Sequence, residues 1–122
     1  MLPIFPRLRF FLSSQQTDMH RSFDGLSGII TYAQASRPGN GDAYLFINHR
    51  HDRIKMLVWD RTGFWLLNKR LEQGTFQIPP NPANQPAIEL SYDILLMLLE
   101  GIDISSLKPR PRYQPQGDSR LT

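Results

Sequence analysis

The residues from Ala43 to Ile78, AYLFINHRHDRIKMLVWDRTGFWLLNKRLEQGTFQI, restrict the fold more than any other part of the chain. Three apolar runs are separated there by two polar turns, the pattern of an antiparallel β-meander. Asp60-Arg61-Thr62-Gly63 has Asp first and Gly fourth, which suits a type I turn closed by a bulge with Gly63 at positive φ. In the register this turn sets, Asp60 stands opposite Phe64, Trp59 opposite Trp65, Val58 opposite Leu66, Leu57 opposite Leu67 and Lys55 opposite Lys69. One face, made of Ile54, Met56, Val58, Phe64 and Leu66, then reads as core with Asn68 as its polar member. The other carries Lys55, Leu57, Trp59, Trp65, Leu67 and Lys69. A two-residue turn would put a lysine on each face, so sorting apolar from polar favours the bulged register.

Lysines directly opposite each other repel, and such a pair beside two indoles is readily understood if an anion sits on that face. The plainer alternative is that the lysine stems lie over the tryptophan rings as solvated decoration of a sheet edge.

At 122 residues the chain is long enough for one domain with a real core and too short for two substantial ones. Cysteine is absent, which excludes disulfides and thiolate metal sites and accords with a reducing, cytoplasmic setting. The opening MLPIFPRLRFFLSS has Arg7 and Arg9 within its apolar part and no small-residue cleavage site, unlike a secretory signal, and no stretch has the apolar length of a membrane span. The net charge of +3 is unevenly distributed. Residues 1–71 hold ten Lys/Arg against five Asp/Glu; residues 72–107 hold none against five; the stretch from Lys108 onward holds four against Asp118. The basic first part favours an anionic partner, and the acidic second part favours pairing with basic surface of the same or another chain.

Arg7 to Leu12 alternates as a half-buried strand with its arginines outward. Thr17 is placed as the N-cap of an amphipathic helix through Met19, Phe23, Leu26, Ile30 and Ala33, with Asp18 in its first turn and Pro38-Gly39 as its stop. Gly25 and Gly28 weaken that helix by about 1 kcal/mol each relative to Ala. The turn Asn48-His49-Arg50-His51-Asp52-Arg53 gathers Arg50, Arg53 and two histidines at one tip. It suits phosphate contact better than metal binding, since His-x-His there has no third ligand. Phe76 and Ile78 share one side of a short final strand, after which Pro79, Pro80, Pro82 and Pro86 impose an extended connector. Ser91 then caps a short helix of Ile94, Leu95, Met97, Leu98 and Leu99, ended by Gly101. These elements predict an α+β domain over residues 1–106: a mostly antiparallel meander of three to five strands, an amphipathic helix before it and a short one after it. Residues 107–122, LKPRPRYQPQGDSRLT, read as a basic proline-spaced tail with little to bury, expected to be disordered in isolation, whose Lys108, Arg110 and Arg112 either grip a phosphate backbone or serve only as a solubilising end.

Several blocks together resemble one family: Thr17-Asp18-Met19-His20-Arg21-Ser22-Phe23-Asp24-Gly25-Leu26, Leu45-Phe46, Asp52 to Asp60, Gly63-Phe64, Lys69-Arg70-Leu71-Glu72 and Leu98-Leu99-Glu100-Gly101-Ile102-Asp103. Their order and spacing over about residues 5–105 resemble the small TnpB, or second-reading-frame, accessory proteins of the insertion-sequence sixty-six family of bacterial transposable elements. The resemblance implies a role in transposition beside a larger transposase encoded by the same element. It names a process and leaves the molecular task and the oligomeric state open. The chain departs from the family pattern at His20-Arg21-Ser22, where relatives tend to carry Arg-Lys-Gly, and at His51, where they tend to carry Gly. A turn needing φ > 0 at His51 is strained.

No catalytic constellation accompanies these blocks. Strand transfer needs carboxylates holding metal ions under ~4 Å apart, whereas Asp18 and Asp24 lie on different sides of one helix and Asp52 and Asp60 at opposite ends of one strand. No phosphate-cradling glycine loop or nucleophile signature occurs either, and no cofactor is implied. Two non-enzymatic readings follow. In the first, Arg50, Arg53, Lys55, Trp59, Trp65, Lys69, Arg70 and the tail bind DNA of the element, phosphates giving affinity and indoles stacking on unpaired bases. In the second, the acidic, apolar C-terminal helix docks on the transposase or on the element's other accessory protein.

Overall fold

A computed structural model describes residues 8–33 and 41–102. Along the chain run β1 (Arg9–Ser13), α1 (Phe23–Gly28) continued by a π-helical segment (Ile29–Ala33), β2 (Asp42–Ile47), β3 (Arg53–Asp60), β4 (Gly63–Arg70), β5 (Ala87–Leu90) and α2 (Tyr92–Glu100). The five strands form one sheet in the order β4-β3-β2-β1-β5. β1 and β2 run parallel, joined through α1, and the other three pairings are antiparallel. The α+β architecture expected from the meander is therefore present.

Apolar side chains leave both faces of this sheet, and each face has a helical cover. Phe10, Leu12, Ala43, Leu45, Ile47, Ile54, Met56 and Val58 pack with Leu95 and Leu98 of α2 and with Phe76 of the connector. Tyr44, Phe46 and Leu57 pack on the opposite face against Leu26 and Ile30. Each fully buried Leu, Ile, Val, Phe or Met side chain among them contributes about 1.5–3 kcal/mol of transfer free energy. β2 lies in the middle and is buried on both sides, which is why Ala43 to Ile47 reads as an unbroken apolar run.

That double cover overturns the bulged register. Asp60 pairs with Gly63, Trp59 with Phe64, Val58 with Trp65, Leu57 with Leu66 and Lys55 with Asn68. Arg61 and Thr62 alone form the loop, with Arg61 at φ 55° and the Thr62 N–H donating to the Asp60 carbonyl across Arg61. Gly63, expected at positive φ, is not among the residues that adopt it. Sorting all apolar residues to one face presumes that the other faces water; here Met56 and Val58 bury toward α2 while Leu57 buries toward α1, so sorting no longer selects a register.

Two other elements differ from expectation. The first helix begins at Phe23 rather than after Thr17, because Asp18 builds a turn of its own: its carboxylate accepts the His20 N–H at 2.9 Å and its carbonyl the Arg21 N–H at 3.0 Å. Thr17 is buried and donates its N–H to the Ile47 carbonyl at 2.9 Å. The last strand is Ala87–Leu90, beside β1, rather than the Phe76–Ile78 segment. Phe76 instead leaves the sheet to be buried under α2's face of the core. α2 matches its sequence signals: Ser91 Oγ accepts the Ile94 N–H at 3.2 Å, and Gly101 closes the helix at φ 79°. Pro38-Gly39, Arg7 and the tail with Lys108, Arg110 and Arg112 lie outside the described residues.

Candidate nucleic-acid interface

The hairpin of β3 and β4 decides which cations can act together. With the observed register, Arg53, Lys55, Leu57 and Trp59 share the α1 face with Phe64, Leu66, Asn68 and Arg70, while Trp65, Leu67 and Lys69 lie on the α2 face. Trp59 and Trp65 therefore point to opposite sides of the sheet, as do Lys55 and Lys69. The expected surface of paired indoles and paired ammonium groups does not exist.

The separated residues have local partners. Trp59 is half-buried and meets the Phe64 ring edge-on at 5.1 Å. Trp65 is exposed and donates its indole N–H to the Asp60 carboxylate at 2.6 Å. Lys69 Nζ donates to the Leu99 carbonyl at 2.6 Å. This carbonyl is one of those the last turn of α2 cannot satisfy internally, and a cation there also complements the helix dipole. Lys69 is thus a capping group for α2.

What the hairpin does bring together is a different set. Arg53 stands directly opposite Arg70, with Lys55 and Asn68 as the next pair on the same face. Lys55 Nζ donates to the Arg21 carbonyl at 2.7 Å, which fastens the Asp18–Arg21 turn beside the hairpin. An open groove of about 430 Å³ is lined by Met19, Arg53, Lys55, Asn68, Lys69, Arg70 and Glu72. A second groove of about 370 Å³, lined by Asp18, His20, His49 and Arg50, shares Met19 and Arg53 with the first. Among the described residues the acids here are few and engaged: Glu72 meets Arg70 at 3.3 Å, Asp52 accepts from Asn48 at 2.7 Å, and Asp18 contacts His20. No ion pair holds Arg50 or Arg53 among the described residues.

The tip is built as a rigid support. Asn48 Oδ1 accepts the N–H groups of Asp52 and Arg53 at 3.0 and 2.9 Å. His51 sits at φ 61°, its carbonyl accepting the Phe76 N–H at 2.6 Å, and the Asp52 carbonyl accepts the Leu71 N–H at 2.8 Å. Asn48 escapes a reading by charge alone, although Asn before a polar turn is the signal that would have found it. His49 Nδ1 lies 2.6 Å from Gln16 Oε1, and no three metal-ligating side chains gather among the described residues.

Two ionisation shifts have clear causes. The Asp18 carboxyl is held below its ordinary range, first by the His20 N–H and then by the His20 ring. Arg9 is raised by its hydrogen bonds and charge contact with Asp42, at 3.1 and 3.0 Å. Arg9, an outward cation on the α1 face as its strand pattern predicts, is thus neutralised beside Phe11 instead of extending the basic surface.

Comparison with known proteins bears on this arrangement. A family model described as IS66 Orf2 like protein matches residues 8–109. The chain is 32% identical over 108 residues to the uncharacterized protein y4jC of Sinorhizobium fredii, covering 88% of this chain and 91% of that one. It is 31% identical over 103 residues to the uncharacterized protein y4hO of the same organism, covering 84% and 88%. No solved structure matches it. With the family model spanning the whole sheet and both helices, the chain belongs to the IS66 Orf2-like family.

Proposed function

We propose that the protein serves transposition of an IS66-type element as an accessory factor that holds DNA by its phosphates, through Arg50, Arg53, Lys55 and Arg70. Family membership supports the transposition role. The DNA contact rests on one observation: Arg53 and Arg70 face each other across an antiparallel pair, with Lys55 adjacent and an open groove over them. Like charges so placed destabilise the hairpin by roughly 0.2–1 kcal/mol, and an anion spanning them removes that repulsion. Phosphates of a nucleic-acid backbone supply such anions in a row, and the contact is sequence-independent. No indole stacking belongs to this reading, since Trp59 is packed on Phe64 and Trp65 lies on the far face.

Titration of a labelled DNA duplex at low salt tests the proposal. The Arg53→Ala/Lys55→Ala/Arg70→Ala variant is expected to bind at least ten-fold more weakly than wild type. Equal binding by a folded triple variant would remove the proposed role of the groove.

A second reading, docking on the transposase, draws on α2. Leu96 is 42% exposed and Ile102 45%, and Asp93 and Glu100 are exposed along the same helix. An acidic, apolar outer side of this kind suits a basic partner surface. Co-purification with the transposase after nuclease digestion separates the two readings, because a bridge made only of DNA is then lost.

A further inference from the structure

β4 ends the sheet, and the hydrogen-bond pattern shows which of its backbone groups point outward. The Arg53 carbonyl accepts from Asn48 on the β2 side, and the Asp52 carbonyl accepts from Leu71 on the β4 side. Strand residues alternate in this respect. Ile54, Met56, Val58 and Asp60 therefore bond to Lys69, Leu67, Trp65 and Gly63, and the N–H and C=O groups of Phe64, Leu66, Asn68 and Arg70 face away from the sheet. Among the described residues no backbone or side-chain partner meets those outward groups.

The two edges of the sheet are unlike. β5 is four residues long and enters directly from Pro86, a short edge blunted by proline. β4 is eight residues long with no proline, and its cations Lys69 and Arg70 are confined to one end. A long edge without proline is a template for another strand.

We propose that this edge pairs with β4 of a second copy, antiparallel, about a two-fold axis passing beside Leu67. An axis normal to the sheet requires opposed residues to share a face, and centring it on Leu67 sets Phe64 opposite Arg70, Trp65 opposite Lys69 and Leu66 opposite Asn68 of the other copy. All four outward residues then enter hydrogen-bonded pairs, each pair exchanging two bonds. Moving the axis to Leu66 leaves Arg70 outside the strand pairing, and moving it to Asn68 leaves out Phe64. The Leu67 register also opposes each cation to an aromatic ring of the partner, a favourable cross-strand arrangement, and no cation faces another. The polarity of β4, aromatic at its start and cationic at its end, is self-complementary only when reversed, which is what a second copy supplies. The pairing stands independently of DNA binding, and it would place the Arg53–Arg70 patches of both copies on the same face of one continuous sheet.

Sedimentation of the full chain at rising concentration, with two variants, tests the inference. Wild type is expected to form a dimer, and Leu66→Pro, which removes an outward N–H and is compatible with an edge strand, to remain a folded monomer. Because the chain has no cysteine, Leu67→Cys places a single thiol beside the axis. Opposed Cα atoms in a non-hydrogen-bonded pair lie about 4.5 Å apart, within disulfide range. Mild oxidation should therefore link Leu67→Cys into covalent dimers while Ser14→Cys, near β5, stays monomeric. A wild-type monomer at all concentrations, a dimer unaffected by Leu66→Pro, or equal crosslinking at both positions would overturn the proposal; the first of these would leave the edge to a strand from a different chain.

Discussion

His51 is a non-glycine residue of the tip held in left-handed geometry. It sits at φ 61° with its carbonyl engaged by Phe76. Left-handed geometry costs a non-glycine residue about 1–2 kcal/mol, against about 0.5–1 kcal/mol of extra chain entropy lost by Gly. His51→Gly is thus expected to stabilise the fold by about 0.5–1 kcal/mol in urea unfolding, without altering DNA affinity. Lys69 shows the opposite kind of legibility, since its charge was visible and its task was not. Lys69→Met keeps the stem and loses the bond to Leu99, so a stability loss of about 0.5–1 kcal/mol is expected in urea unfolding. Asp18 introduces a pH dependence whose sign follows from its lowered pKa. The folded chain releases the Asp18 proton at lower pH than the unfolded chain, so its contribution is complete above the unfolded value of about 3.9 and is lost as pH falls through the folded value. Asp18→Asn should flatten that acid-side decline in melting temperature as pH falls below about 3.9.

Elements were legible where a local signal and the tertiary environment agreed. The Ser91 cap and Gly101 stop bound α2, and the apolar run of β2 marks a doubly covered strand. Ser91→Ala is expected to cost about 1 kcal/mol, read as a lowering of the melting temperature by about 4–8 °C. The sequence pattern misleads where a second helix layer changes its meaning. The bulged hairpin depends on one wet face, and α1 with the π-helical segment covers that face through Leu26 and Ile30. The helix drawn from Thr17 depended on apolar spacing, and Asp18 prevailed locally with its own turn. β5 was hidden by the prolines before it, because its pairing with β1 is a contact between residues far apart in sequence. The candidate site shared this fate: its cations Arg53, Lys55 and Arg70 were all visible as charge, but which of them share a face was decided by one residue of register.

For the molecule as a whole, the basic first part of the chain supplies the tip and hairpin patch, while the acidic residues that follow place Glu72 beside Arg70 and Asp93 and Glu100 on α2. The sheet orients the patch and the Asn48 tip supports it, in a chain of the IS66 Orf2-like family. No helix among the described residues is long and apolar enough to cross a membrane. The central claim is that Arg53, Lys55 and Arg70 neutralise phosphates together, and the most direct measurement is DNA affinity as a function of salt. Each neutralised phosphate of a duplex contributes about −0.9 to the slope of log K against log salt. The triple alanine variant should therefore have a slope shallower than wild type by about 3. Identical slopes for wild type and the triple variant would contradict the account.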